Sequence, residues 1–343
     1  MVGGMSDLPR VAVLGVGSLG KEHARIYADL ARGGVCQFVG VYDVHSESAK
    51  THAQRHGVRA FTSVTEAVMA ADALSIVTPT PTHFALAIEL MKQGRHVLVE
   101  KPMTDDADQA AELVRLAHER KVVLQVGHVE RFNPVFAYLE SVATEPRFVE
   151  CHRLSPFPAR STDIGVVLDL MIHDLDVILA FVKSPVVSVD AVGIPVLSRS
   201  EDIANARLRF ANGCVANLTA SRISPERMRK IRVFSGGAAP TYISLDYRAQ
   251  EGFIYRLARS GEQESSLLKK LLSAKDSTIV SEFAGKKIVR EPVPIAKDEP
   301  LKLELTHFLE CVRDQQTPKV SGAQAQAALE VAFEITRQVA ERR

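Results

Sequence analysis

The stretch Arg10-Val-Ala-Val-Leu-Gly-Val-Gly-Ser-Leu-Gly-Lys-Glu-His-Ala-Arg-Ile-Tyr-Ala-Asp-Leu30 decides how this chain folds. Val11 to Leu14 is a short apolar run of the kind that makes a parallel strand buried on both faces. Gly15, Gly17 and Gly20 follow in the spacing G-x-G-x-x-G. From Leu19 the pattern turns helical, with Ala24, Tyr27, Ala28 and Ala31 along one side, and Gly33-Gly34 stops it. Strand, glycine turn and helix in that order are the context a dinucleotide fingerprint requires. Gly15 permits the tight turn, Gly17 lets backbone approach a pyrophosphate, and Gly20 lets the helix pack close to the strand. The start of the helix, with Ser18 and Leu19, offers N–H groups and a positive dipole end to the phosphates. A second strand pattern, Cys36 to Tyr42, ends in Asp43, 23 residues past Gly20. A carboxylate there can accept both ribose hydroxyls of an adenosine. It would face a 2′-phosphate with like charge, and Val44, His45 and Ser46 supply no arginine, so the spacing predicts NAD rather than NADP.

With 343 residues the chain is too long for one ordinary core and fits two domains. The change of character past Gly127 puts the division at residues 1–128 and 129–343. Charges nearly balance, 42 basic against 41 acidic, which implies neither nucleic acid nor a membrane surface as partner. No segment reaches the ~18–20 unbroken apolar residues of a membrane span. The start, Met1 to Arg10, is polar, lacks a signal-peptide core and reads as a short disordered leader, with Met5 as the natural start. Cys36, Cys151, Cys214 and Cys311 lie far apart without a C-x-x-C pair. Reduced, buried thiols and a cytoplasmic location follow.

Beyond Asp43, helices are expected over Ser46 to His56, Val64 to Ala71, from Thr82 as cap to Gln93, and from Thr104 to Arg120. Strands are expected at Ala60-Phe61, Ala73 to Thr78, Arg95 to Glu100 and Val122 to Val126. Six strands alternating with helices predict a doubly wound α/β sheet of order 3-2-1-4-5-6. Ligand then sits at the carboxyl ends of the strands, which adds Thr78, Pro79, His83, Glu100 and Lys101 to the candidate cofactor contacts. In the second half, Pro134 to Val142 reads as a helix, Arg147 to Leu154 as a strand and Val166 to Val182 as a strong helix. Between Val186 and Arg259 six runs alternate with period two. Those at 204–210 and 214–220 join through Ala211-Asn-Gly213 as a hairpin. This is an α+β domain with a mainly antiparallel open sheet, one face on helices. The other face suits a second subunit, in a homo-oligomer that is a dimer or a tetramer. Ser260 to Lys287 is polar and expected to be mobile; Pro300 to Arg313 and Gly322 to Arg337 are closing amphipathic helices.

Three clusters carry chemistry. Glu100-Lys101-Pro102 closes the fifth strand, where a lysine could hydrogen-bond a substrate hydroxyl and stabilise developing alkoxide charge. Standing alone, it reads more readily as a solvated lysine before a proline turn. In Asp169-Leu-Met-Ile-His173-Asp-Leu-Asp176, positions 169, 173 and 176 fall on one stripe of a helix, with Leu168, Ile172, Leu175 and Leu179 beside it. A histidine with a carboxylate one turn away suits general acid–base work. The same trio could ligate a metal, but no other His or Cys has matching spacing, so no metal is expected. Gly127-His-Val-Glu-Arg-Phe-Asn-Pro134, at the domain junction, is dense in polar groups but chemically unspecific.

Taken together, G-x-G-x-x-G, Asp43, E-K-P, G-H-x-x-R-F-x-P and D-x-x-x-H resemble the Gfo/Idh/MocA oxidoreductases over nearly the whole chain. The resemblance implies that Lys101, Asp169 and His173 line a sugar site. It implies that His173 takes the hydroxyl proton while hydride leaves the same carbon for NAD. The 127–134 and 168–176 segments look most like the branch that oxidises the 3-hydroxyl of UDP-N-acetylglucosamine to a 3-keto sugar. An aminotransferase that uses pyridoxal phosphate acts downstream of that branch. For a nucleotide-sugar substrate, His128, Arg131, Asn133, Arg153 and Arg160 join Lys101, Asp169 and His173 as candidate contacts. The arginines are placed for the diphosphate by position alone. Two other readings share the fold: a dehydrogenase of a free sugar or inositol, and a non-catalytic nucleotide-sensing regulator. Many members of the family have glycine between the motif Asp and His, whereas this chain has Leu170-Met171-Ile172.

Overall fold

A computed structural model describes residues 8–143, 145–157, 164–237, 239–258, 278–283 and 285–342. Residues 1–7 of the leader, Arg160 and most of the 260–287 stretch therefore lie outside the described residues, and Arg10, the leader's last residue, opens the first strand. Two compact units divide the chain: Met1–Phe132 with Glu299–Glu330, and Asn133–Asp298 with Val331–Arg343. A single cut at 128/129 leaves out the return of residues 299–330 to the first unit.

The first unit is a parallel sheet of β1 (Arg10–Leu14), β2 (Gln37–Tyr42), β3 (Arg59–Ala60), β4 (Ala73–Ile76), β5 (His96–Glu100) and β6 (Leu124–Gly127). Its order is β3-β2-β1-β4-β5-β6, as the alternation of strand and helix predicts. β1, β4 and β5 are buried almost throughout, which is why they read as unbroken apolar runs. Helices α1 (Gly20–Arg32), α2 (Ser46–His56), α3 (Val64–Ala70), α4 (His83–Lys92) and α5 (Ala107–Arg120) connect them. Asp106, not Thr104, caps α5, accepting from the Gln109 N–H at 2.9 Å. Thr82 makes no cap bond to α4. A short 3₁₀ turn, Thr80–Thr82, precedes that helix, and the Thr82 hydroxyl turns back to the Pro79 carbonyl at 2.7 Å. Helix α8 (Pro300–Asp314) belongs here because Leu305, Phe308, Leu309 and Val312 share one core with Ile26, Tyr27 and Leu30.

In the second unit, α6 (Pro134–Val142) starts at Asn133, whose side chain caps the Val135 N–H at 3.1 Å. Among the described residues one sheet holds β7 (Pro146–Leu154), β8 (Val186–Ile194), β9 (Ile203–Phe210), β10 (Val215–Ser221), β11 (Met228–Ser235), β12 (Thr241–Asp246), β13 (Glu251–Leu257), β14 (Thr278–Phe283) and β15 (Lys286–Pro292). Its order is β14-β15-β13-β12-β11-β7-β10-β9-β8, antiparallel except for β7 beside β10. The six runs expected between 186 and 259 are β8 to β13. The hairpin of β14 and β15 was not expected, because its sequence is too polar to show a buried face. Ala204, Ala206, Leu208 and Phe210 alternate inward along β9, with Asn205, Arg207 and Arg209 outward. On the outward side a row of rings crosses four strands: Phe148 on Phe234 (centroids 5.6 Å), Phe234 on Tyr242 (4.6 Å) and Tyr242 on Tyr255 (5.0 Å).

The edge strand β8 is closed by helix α9 (Gly322–Glu341). The Gln338 amide accepts from the Ala191 N–H at 3.1 Å and donates to the Val189 carbonyl at 3.0 Å, as a neighbouring strand would. Among the described residues no helix is long and apolar enough to cross a membrane.

The helix expected over 166–182 spans those residues but is not α-helical throughout. Val167–Met171 is a wide π-type turn, in which the Ile172 N–H reaches back to the Val167 carbonyl, and α7 (Ile172–Val182) follows it. Glu201 sets this entry: its carbonyl accepts from the Val166 N–H at 2.9 Å and its carboxylate from the Val167 N–H at 3.4 Å.

Candidate functional site

The first unit builds a cradle around the glycine turn. Gly15 has φ +88°, and a Cβ there would fall 2.5 Å from the Val77 carbonyl oxygen. A Cβ on Gly20 would overlap the Gly15 carbonyl, so helix and turn touch backbone to backbone. Gly17 is different: a Cβ would meet nothing within 4 Å. Nothing inside the protein demands glycine there, which fits a position kept bare for an external phosphate. Gly17, Ser18 and Leu19 are exposed at the tip, and Leu19 occupies the N-cap of α1 without a capping side chain.

Asp43 ties this loop to the end of β2. Its Oδ2 accepts from the Val16 N–H at 2.8 Å and its Oδ1 from the His45 N–H at 2.9 Å. A carboxylate offers about four acceptor positions, so the two ribose hydroxyls of an adenosine still find partners. The bare Gly17 and the aspartate fit NAD.

At the end of β4, the Thr78 and Thr82 hydroxyls lie 2.7 Å apart. His83, expected as a cofactor contact, is instead an internal brace. It is buried, with Nε2 2.8 Å from the Thr78 carbonyl and Nδ1 3.0 Å from the Pro102 carbonyl. Burial lowers its pKa despite these two acceptors. Glu100 is buried and Lys101 half-buried at the end of β5. His128 follows β6 and is also buried; burial first, then the charges of Lys101 and Arg131, push its pKa down to about 3. It is a neutral imidazole at neutral pH, within the field of the Lys101 ammonium.

Arg131 is buried and donates to the Lys319 carbonyl at 3.1 Å. Asn133, besides capping α6, donates to the Tyr247 carbonyl at 3.0 Å. The polar density of the 127–134 segment thus serves its own packing to a large degree, a role its composition did not disclose.

In the second unit, Asp169 sits in the wide turn and His173 in the first turn of α7, both half-buried. Asp176 faces the interior at 2 % exposure. Arg153, expected to reach a diphosphate, is buried and grips Asp174 instead, Nε to Oδ2 at 3.0 Å and Nη2 to Oδ1 at 2.8 Å. That pair fixes the first turn of α7, next to His173, on β7. Sequence reasoning missed Asp174 and also His23, a histidine on the buried side of α1; a polar residue on an apolar helix face was the available signal for both. Among the described residues no group of three or more His, Cys, Asp or Glu side chains could hold a metal ion.

The sheet order, the cradle and the aspartate define the nucleotide-binding half of an oxidoreductase, and residues 9–128 match the model of the "Oxidoreductase family, NAD-binding Rossmann fold". Residues 141–236 match the "GFO/IDH/MocA C-terminal domain". The chain belongs to the Gfo/Idh/MocA oxidoreductase family, and its cofactor is NAD. It is 36% identical over 327 residues to the UDP-N-acetylglucosamine 3-dehydrogenase of Acidithiobacillus ferrooxidans, covering 95% of this chain and 96% of that one. A solved structure of that enzyme, GnnA, superposes with a TM-score of 0.84 at 36% identity, over 96% of this chain and 97% of the other. The scyllo-inositol 2-dehydrogenase (NAD(+)) of Bacillus subtilis is 27% identical over 356 residues, covering 97% of this chain and 94% of that one.

Proposed function

We propose that this enzyme oxidises the 3-hydroxyl of UDP-N-acetylglucosamine to the 3-keto sugar. The observation that carries the reading is the 36% identity, at nearly full length on both sides, to an enzyme named for that reaction. In this reading the first unit binds the cofactor, and the second binds substrate and mediates assembly.

Bound NAD supplies the acceptor for the hydride that leaves C3. His173 takes the proton of the 3-hydroxyl at a ring nitrogen, and Asp169 orients that ring and supports its protonated form. Lys101 Nζ donates to the same oxygen and stabilises the negative charge that develops on it. His128 adds a neutral hydrogen-bonding group without adding charge beside Lys101. Arg153, committed to Asp174, acts by holding the first turn of α7; Arg131, equally buried and committed to the Lys319 carbonyl, braces its own segment, and Arg160 alone keeps the diphosphate assignment. Binding energy from the nucleotide is available to hold C3 for transfer. A second copy covers the outward ring row of the open sheet, and four buried, unpaired thiols suit the cytoplasm. Oxidation of a secondary alcohol by NAD is uphill near neutral pH, so a transaminase that consumes the ketone is the expected partner.

The reading is tested by turnover. NADH formation is followed with NAD and, in turn, UDP-N-acetylglucosamine, UDP-glucose, free N-acetylglucosamine and scyllo-inositol. The first should have the highest kcat/KM. Preference for free inositol, which the likeness to the Bacillus subtilis enzyme keeps in view, would replace it.

A further inference from the structure

His23 is fully buried on α1, one turn beyond the glycine loop, and its Nε2 lies 3.1 Å from Glu100 Oε1. Glu100 is itself 7 % exposed and immediately precedes Lys101. The Lys101 backbone N–H donates to the other carboxylate oxygen, Oε2, at 3.3 Å. From a third side comes Gly127, paired with Glu100 in register across β5 and β6. A Cβ on Gly127 would fall 2.6 Å from Oε1 and 2.7 Å from Oε2, so the carboxylate occupies the space a side chain would take. Three segments therefore fix one carboxylate: the cofactor helix, the Lys101 backbone and the end of β6.

His23 Nδ1 is buried and makes no hydrogen bond among the described residues. A carboxylate oxygen accepts, so the ring nitrogen that faces Glu100 is the donor. The favoured tautomer thus carries its proton on Nε2 and donates it to Glu100. A buried charged group is weak as a source of net stability. Its placement directly before Lys101 suggests a different use.

We propose that His23 is a positioning residue. Through Glu100 it sets the backbone at Lys101 and ties that setting to α1, whose N-terminus cradles the cofactor phosphates. Cofactor helix and substrate-facing ammonium are then held in one register. The proposal rests on Lys101 acting at the substrate, as argued above.

Two readouts test it on the full chain: amide hydrogen exchange of the Lys101 segment in the cofactor-free protein, and kcat at saturating NAD and sugar. NADH affinity is measured alongside by fluorescence titration. His23→Ala should speed exchange at Lys101 and lower kcat by up to about 10²-fold, the usual cost of an ångström-scale misplacement, with NADH affinity little changed. His23→Gln, which can return an N–H to Glu100, should recover most of both. Gly127→Ala disturbs the same carboxylate without touching α1 and should speed exchange and lower kcat likewise; it decides the matter if His23→Ala does not fold. Unchanged exchange and kcat in the folded variants would overturn the proposal. So would a loss of NADH affinity alone, with kcat intact at saturation. If Lys101→Ala keeps full kcat while His23→Ala still loosens the Lys101 amide, the positioning stands and the role given to Lys101 fails.

Discussion

Arg153 donates to both carboxylate oxygens of Asp174, at 3.0 and 2.8 Å, with both side chains buried. The pair joins β7 to the first turn of α7, one residue from His173. Removing one partner strands the other charge in the interior, at a cost of about 3–5 kcal/mol. Asp174→Ala should lower the unfolding free energy by that order in urea, and Arg153→Lys, which loses the two-pronged geometry, by less. A loss below about 1 kcal/mol, the worth of an exposed pair, would mean the pair is not sealed from water.

Asp43 has two duties that one substitution removes together. Asp43→Ala should weaken NADH binding by deleting the ribose acceptor and by freeing the Val16 N–H that it holds at 2.8 Å. It should also narrow the preference over NADPH, because the like charge facing a 2′-phosphate is gone. Fluorescence titration with both cofactors reads this. Equal affinity of the unaltered protein for NADPH would remove Asp43 from cofactor selection.

Lys101 and His173 are expected to act on chemistry rather than on cofactor affinity. His173→Ala should lower kcat about 10²–10⁴-fold, the range for loss of a general base, with NADH binding little changed. Lys101→Ala should also lower kcat strongly through lost alkoxide stabilisation. Full activity in either variant at neutral pH would take that residue out of the mechanism.

His128 links stability to pH. Burial pushes its pKa from 6.5 down to about 3 in the folded chain. Between those values the unfolded chain binds a proton that the folded one refuses, so acid favours unfolding. Stability should therefore fall by about 1.4 kcal/mol per pH unit below about pH 6.5 on account of this residue. His128→Gln should remove that part of the slope in urea melts between pH 6.5 and 4.5. An unchanged slope would show that His128 is protonated in the native state.

Much of this architecture was legible because its cause was local. The parallel strands read as apolar runs since both faces are covered, and the glycine turn, Asp43 and the Asn133-Pro134 helix start sit within a few residues of what they serve. The rest depends on partners far along the chain. Seventeen residues of helical pattern gave no hint of the wide turn at 167–171, because Glu201 engages its backbone from 34 positions away. His83 looked like a ligand contact because its acceptors, Thr78 and Pro102, are backbone carbonyls that any residue carries. Arg153 looked available because Asp174 resembled one more acid in a run of three. The bond from His23 to Glu100 spans 77 positions, and neither local pattern points to the other.

The central claim, removal of hydride from C3 of UDP-N-acetylglucosamine, is tested most directly by isotope. The enzyme is incubated with NAD and UDP-N-acetylglucosamine carrying deuterium only at C3 of the sugar, with a hydrazine present to trap the ketone, and the NADH formed is weighed by mass spectrometry. The account predicts NADH that carries one deuterium. Unlabelled NADH would place the oxidation at another carbon, and no NADH at all, under conditions where inositol or a free hexose is turned over, would contradict the nucleotide-sugar assignment itself.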